Sequence, residues 1–157
     1  MNAFDSCKLY RFDTGHQVFE TVIYRKASVY WLSFPAKDIK GKPLNGNNRR
    51  IYRSLRSIFP RLNFVSAEQV HSNKVCIVNP QSEFEKEKQC DGLITQGINT
   101  ALIIRTADCV PVFIFGKKHI ALLHAGHKGM HANILENWNS FELDEPSQLV
   151  VGDHIKS

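Results

Sequence analysis

The stretch TADCVPV…LLHAGHKGMH, residues 106–131, brings Cys109, the adjacent Asp108 and His124, His127 and His131 into one short span broken by apolar runs. Upstream, EQVHSNKV adds His71 with Gln69 two residues before it. One cysteine and two histidines with an open fourth position form the donor set of a catalytic zinc, and His71, Cys109 and His124 supply it. The same residues also suit a metal-free nucleophile, with a histidine lowering the pKa of the Cys109 thiol. Asp108 is costly in an apolar region without a partner, which makes it a candidate for proton transfer or for orienting a ligand. His127 and His131 stand four apart, a spacing that chelates a metal on one helix face. Exposed first-turn residues are the commoner cause of that spacing, and contact with an anionic substrate alongside Lys128 and backbone N–H groups is the alternative use.

These residues need a frame. VFETVIY and SVYWLSF, between residues 17 and 34, are strand candidates separated by a short break and predict an antiparallel hairpin. A polar, Pro- and Gly-bearing loop follows, then an amphipathic basic helix from about residue 48 to 59 that Pro60 stops. LNFVSAEQV and KVCIVN read as strands flanking residues 71–73, so His71 is expected at a strand end with Gln69 on its face. Four short strands come next, DGLIT, ALIIRT, VPVFIF and HIALLH. Cys109 falls at the break before the third, which Pro111 is expected to enforce. His124 closes the fourth, where Ala125-Gly126 allows a tight turn with close backbone approach. The spacing of Met130, Ile134, Leu135 and Trp138 predicts a helix over 129–141, and SQLVVGD begins a last strand. The class is mixed α/β (α+β), with packed, largely antiparallel or mixed sheets and helices outside them. The final strand enters GDHIKS with nothing returning across the sheet, so a following portion is expected to be missing.

Composition bounds the function. At 157 residues the chain is one domain's worth, long enough to bury roughly 70% of its unfolded surface. Hydrophobic content of 43% and charge of 22% are those of a globular protein, not a disordered one. The net charge of +5 suits an anionic ligand, but the positive residues are scattered and make no dedicated nucleic-acid surface. MNAFDSCKLY is polar and lacks the apolar core of a signal peptide, and no apolar run nears the ~20 residues that span a bilayer. The expectation is a cytoplasmic protein with no membrane partner. Cys7, Cys76, Cys90 and Cys109 form no C-x-x-C and are expected to be reduced thiols.

QVHSNKV, DGLIT, TADCVPV and HAGHKG resemble, in order and spacing, the motifs of the multicopper polyphenol oxidoreductase (laccase-like) family, over about residues 45–155. NNRR resembles the family's Asn-Arg pair, placed on Asn48 and Arg49, and VVGDHI resembles its G-P-x-I segment. The resemblance implies purine nucleoside chemistry in the cytoplasm. That comprises phosphorolysis of adenosine, inosine and methylthioadenosine, and deamination of adenosine, with a bacterial branch linked to peptidoglycan precursor editing. It also implies a metal site of His71, Cys109 and His124, the set already reached from the strand ends. Zinc is favoured over copper, because a blue-copper oxidase needs several copper sites and the histidine clusters are too few. A zinc there would acidify a water for attack on the amino-bearing carbon of adenine. Phosphate would be held near the ribose by Arg49 and Lys128. His127 and Lys128 replace the family's Trp and Arg, and Asp153 stands where Pro is usual; His127 is a substrate-binding candidate at its altered position. Two other readings stand beside this one: a metal-free cysteine amidase using Cys109 and His124, and a family-derived binding protein without activity.

Overall fold

A computed structural model describes residues 6–13, 18–26, 29–32, 55–57, 59–79, 88–137, 141 and 148–152. Arg49, Asn48 and Asp153 lie outside the described residues. The chain divides into two compact units, Met1–Pro60 and Arg61–Ser157.

In the first unit, β1 (Ser6–Asp13), β2 (Val18–Lys26) and β3 (Val29–Leu32) form an antiparallel sheet in that order. The β2–β3 pair, in register from Ile23↔Leu32 to Lys26↔Val29, is the hairpin its β-branched and aromatic residues predict. Strand β1 is an addition to the sequence reading and pairs with β2 along its whole length. Of the basic helix expected over 48–59, only residues 55–57 are described as helical, and the Phe59 N–H donates to the Leu55 carbonyl at 2.8 Å.

The second unit holds β4 (Asn63–Ser66), β5 (Val75–Ile77), β6 (Gly92–Thr95), β7 (Thr100–Ile103), β8 (Val110–Phe115), β9 (Ile120–Ala125), α1 (His127–His131) and β10 (Gln148–Val151). Five of these strands form one mixed sheet, ordered β10-β8-β9-β6-β5, in which only β5–β6 is parallel. The parallel pair β4–β7 is a separate layer. Side chains alternate across the sheet, and the register sorts them into two cores. Val75, Ile94, Val112, Ile114, Ala121 and Leu123 share one face and pack with Ile134. Cys76 and Leu93 point the other way, onto Val65 of β4 and Leu102 of β7. Full burial of a side chain such as Leu123 contributes about 1.5–3 kcal/mol, so a sheet buried on both faces is rigid enough to carry a site at its strand ends.

Two expectations change here. The helix starts at His127 and ends at His131, instead of running over 129–141. Asn133 takes a left-handed conformation, φ 61°. The Ile134 N–H donates to the Gly129 carbonyl, and the Asn133 N–H to the Met130 carbonyl. That pair of bonds is a Schellman stop, and Asn tolerates the left-handed position better than most residues. The apolar spacing still works, because Ile134 is turned into the core by the stop itself and not by a continuing helix. Pro111, expected to break a strand, is the second residue of β8 and lies opposite His124. Its carbonyl accepts from Gly152. In an antiparallel strand a residue's N–H and C=O face the same neighbour. The missing N–H therefore points past the end of β10, and the ladder to β9 is untouched.

Candidate functional site

Three chain segments deliver the ligand candidates. His124 is the fifth residue of β9 and is buried. Cys109 is half-buried at the end of the bend that leads into β8. His71 is exposed, and it does not stand at a strand end: β4 stops at Ser66, and His71 lies in a turn with a left-handed backbone, φ 60°. The donor atoms of these three residues all lie within 4.8 Å of one another, the only such group among the described residues. The two imidazoles meet edge to face, with ring centroids 4.8 Å apart and planes at 73°.

Asp91 explains the turn at His71. It is the first residue of DGLIT, 1% exposed just ahead of β6, and was not singled out by the sequence reading. Its carboxylate accepts the backbone N–H of His71 at 2.9 Å, of Ser72 at 2.7 Å and of Val70 at 3.3 Å, and the Ser72 hydroxyl at 2.8 Å. It also accepts from His124 Nδ1 at 2.8 Å. Burial pushes the Asp91 carboxyl up, and the bonds from His124, Ser72 and His71 outweigh it and hold the group below its ordinary value. Asp108, by contrast, is exposed, so the burial cost expected of it falls on Asp91 instead. An aspartate directly before an all-buried strand was the available signal.

Gly126, between β9 and α1, lets the backbone close on the group. A Cβ there would sit 3.0 Å from Cys109 Sγ and 3.1 Å from His71 Cδ2. Gly129 does the same for the other side of the turn, where a Cβ would meet the Ser72 carbonyl at 2.8 Å.

The group opens onto a cleft of about 420 Å³, lined among others by Gln69, His71, Arg105, Asp108, Cys109 and His124. Gln69 does not share a strand with His71. Its side-chain amide donates to the Arg105 carbonyl at 2.7 Å and accepts the Arg105 N–H at 2.7 Å. Arg105 is the cation lining this cleft, and residue type alone did not point to it. His127, Lys128 and His131 are exposed on α1 and lie outside both the ligand group and the cleft lining. Cys76 and Cys90 are free thiols in the core, and burial followed by the neighbouring Cys76 thiol pushes the Cys90 thiol up, keeping it protonated.

The residues fit a metal. A thiolate and two imidazoles converge, one side stays open to the cleft, the ring of His124 is anchored through its second nitrogen to a carboxylate, and a side chain at Gly126 would crowd the donors.

Fold and site together define a mixed α+β protein in which a strand, the bend before a strand and a left-handed turn gather a His–Cys–His group in an open cleft. A family model described as Multi-copper polyphenol oxidoreductase laccase matches residues 34–148, and the chain belongs to that family. The fold is similar to that of Bacillus licheniformis YfiH, with TM-score 0.59, 20% identity, and coverage of 99% of this chain and 66% of that one. It is also similar to YlmD from Geobacillus stearothermophilus, with TM-score 0.57, 26% identity, and coverage of 78% and 48%. Among sequence relatives, the Campylobacter jejuni purine nucleoside phosphorylase Cj1217c is 42% identical over 73 residues, 46% of this chain and 31% of that protein. The Staphylococcus aureus purine nucleoside phosphorylase SACOL1200 is 33% identical over 110 residues, 64% of this chain and 42% of that protein. The chain thus spans less than half the length of these two relatives. No helix among the described residues is long and apolar enough to cross a membrane.

Proposed function

We propose that the chain is a zinc-dependent purine nucleoside phosphorylase that also deaminates adenosine, acting in the cytoplasm. The observation that carries this reading is the convergence of His71, Cys109 and His124 at a cleft that also presents Arg105 and Asp108. Its relatives' names point to the same substrate class. A zinc ion held by the three residues supplies a Lewis acid that brings the pKa of water toward ~7. Asp108 lines the cleft, which supports a role for it in moving a proton to or from the substrate. Phosphorolysis breaks the bond between base and ribose, with phosphate as the nucleophile, giving free base and ribose 1-phosphate. Arg105, which lines the cleft, is added here to Arg49 and Lys128 as a candidate cation for that phosphate; His127 is a candidate substrate contact from the exposed face of α1, and Gln69 contributes through its hold on the Arg105 backbone. Deamination consumes water at the same purine and releases ammonia.

The test is incubation of the metal-loaded chain with adenosine and phosphate, followed by separation of adenine, hypoxanthine and inosine. Product formation that is lost in Cys109→Ser supports the reading. Absence of every product at full zinc occupancy overturns it.

One observation favours a second reading. Cys109, His124 and Asp91 have the order of a nucleophile, a base and a carboxylate that orients it. That arrangement serves a metal-free cysteine amidase. Amide cleavage that survives chelation and is abolished by thiol alkylation would select it.

A further inference from the structure

We propose that two residues outside the ligand set position it: Asp91 holds both histidines, and Gln69, through the Arg105 backbone, ties the segment that carries Cys109 to the His71 turn. The inference rests on the metal-binding reading of His71, Cys109 and His124, and adds to it the residues that set the donors' geometry.

Asp91 reaches both histidines by different routes. His124 donates its Nδ1 hydrogen to Oδ1, which fixes the tautomer and leaves Nε2 as the donor atom for a metal. Its backbone is tied to the same residue, since the His124 N–H donates to the Asp91 carbonyl at 2.7 Å. His71 is held through its backbone. Its N–H and those of Val70 and Ser72 converge on the two carboxylate oxygens, which bends the chain into the left-handed turn that aims the imidazole at the group. The Asp91 N–H closes the loop by donating to the Lys74 carbonyl at 2.9 Å. No other described side chain bonds both histidine-bearing segments, so one carboxylate fixes the distance between them.

Cys109 is tied differently. Its segment leaves β7 at Ile103 and reaches β8 at Val110 without strand pairing of its own. The two bonds between the Gln69 amide and the Arg105 backbone join it to the His71 turn as one rung of a ladder would. Gln69 is thereby a positioning residue: both ends of its amide are already engaged.

The experiment uses the full chain stripped of metal and titrated with cobalt(II), with zinc affinity read by competition against a chromophoric chelator. The unaltered chain should show thiolate-to-cobalt charge transfer and the visible bands of a low-coordinate site. Asp91→Asn should weaken zinc binding roughly 10- to 100-fold and shift the visible bands, with the charge-transfer band retained. Gln69→Ala should instead reduce the charge-transfer band, because it frees the segment that carries Cys109 while the bonds of Asp91 to the His71 turn and to His124 remain. Both effects must appear in protein whose far-ultraviolet circular dichroism matches the unaltered chain. If Asp91→Asn does not fold, Ser72→Ala, which removes one bond to Asp91, reads the same arm alongside Gln69→Ala. Unaltered affinity and spectra in the folded variants overturn the proposal while leaving the metal site standing. Absence of a cobalt spectrum in the unaltered chain overturns the metal reading and this inference with it.

Discussion

Asp91 Oδ1 lies 2.8 Å from His124 Nδ1, with the two side chains 0% and 3% exposed. A carboxylate sealed from water in this way is sustained by its donors, and it has no solvent to fall back on when one is lost.

Acid should therefore act on this bond only at the low end of the pH range. The folded-state pKa of Asp91 lies below its unfolded value, so its contribution is fully present above about pH 4 and is lost as pH falls through the depressed value. The Asp91 contribution to the urea midpoint should be constant from pH 7 to about pH 4 and fall as the pH is taken lower. A folded Asp91→Asn variant should show a shallower fall; equal slopes would remove Asp91 as the cause.

Two glycine substitutions should separate the site from the frame. In Gly92→Ala the new Cβ would meet Leu123 Cδ2 at 2.6 Å and Val75 Cγ2 at 2.9 Å, inside the sheet. Overpacking of this kind costs about 1–3 kcal/mol, visible as a lower denaturation midpoint. Gly126→Ala presses on Cys109 and His71 instead, so metal affinity should fall further than stability. Calorimetric titration with zinc, beside urea unfolding, ranks the two variants.

The Schellman stop gives a local prediction. Asn133→Ala forces a Cβ-bearing residue without a compensating side chain into the left-handed region, at a cost of about 1 kcal/mol. Asn133→Gly should be tolerated at that position. A thermal melt in which the alanine variant is the more stable of the two would contradict the role given to this turn.

Arg105 offers a kinetic test of the phosphate reading. Arg105→Ala keeps the backbone bonds to Gln69 and removes only the guanidinium from the cleft. The KM for phosphate should rise roughly 10-fold or more, in line with loss of a charge-assisted hydrogen bond, while the KM for adenosine changes less. Equal changes in both would assign Arg105 a different role.

Cys109 and His124 were legible because each is a soft or borderline donor at an abrupt boundary of an apolar run, whereas His71 was legible by its residue type, its expected strand end being a left-handed turn. Turn residues such as Gly126 marked where the sheet could deliver them. Strand existence followed from β-branched and aromatic runs for β2–β10. Strand β1 was hidden because SCKLYRFD alternates polar and apolar residues weakly and is paired along its length by β2. The helix end was misplaced because Ile134 and Leu135 keep helical spacing after the backbone has turned at Asn133. Asp91 carried a position signal, an aspartate ahead of an apolar strand, but its role was not legible for a different reason. Its partners, at positions 70–72 and 124, are distant in sequence, and only the parallel β5–β6 pairing and the β6–β9 pairing bring them together. A carboxylate's value lies in what surrounds it, and a sequence does not display surroundings.

The segment from Gln69 to Asn73 belongs to no helix or strand, yet almost every residue of it is bonded to a different part of the unit. Gln69 reaches Arg105, Val70, His71 and Ser72 reach Asp91, and the Asn73 side chain donates to the Ala132 carbonyl at 2.8 Å while its own carbonyl accepts from Asn137. Irregular backbone of this kind should behave kinetically as core. In deuterated water the amides of His71 and Ser72 should exchange as slowly as those of the neighbouring strands, because releasing them requires opening the β9–β6–β5 part of the sheet that holds Asp91.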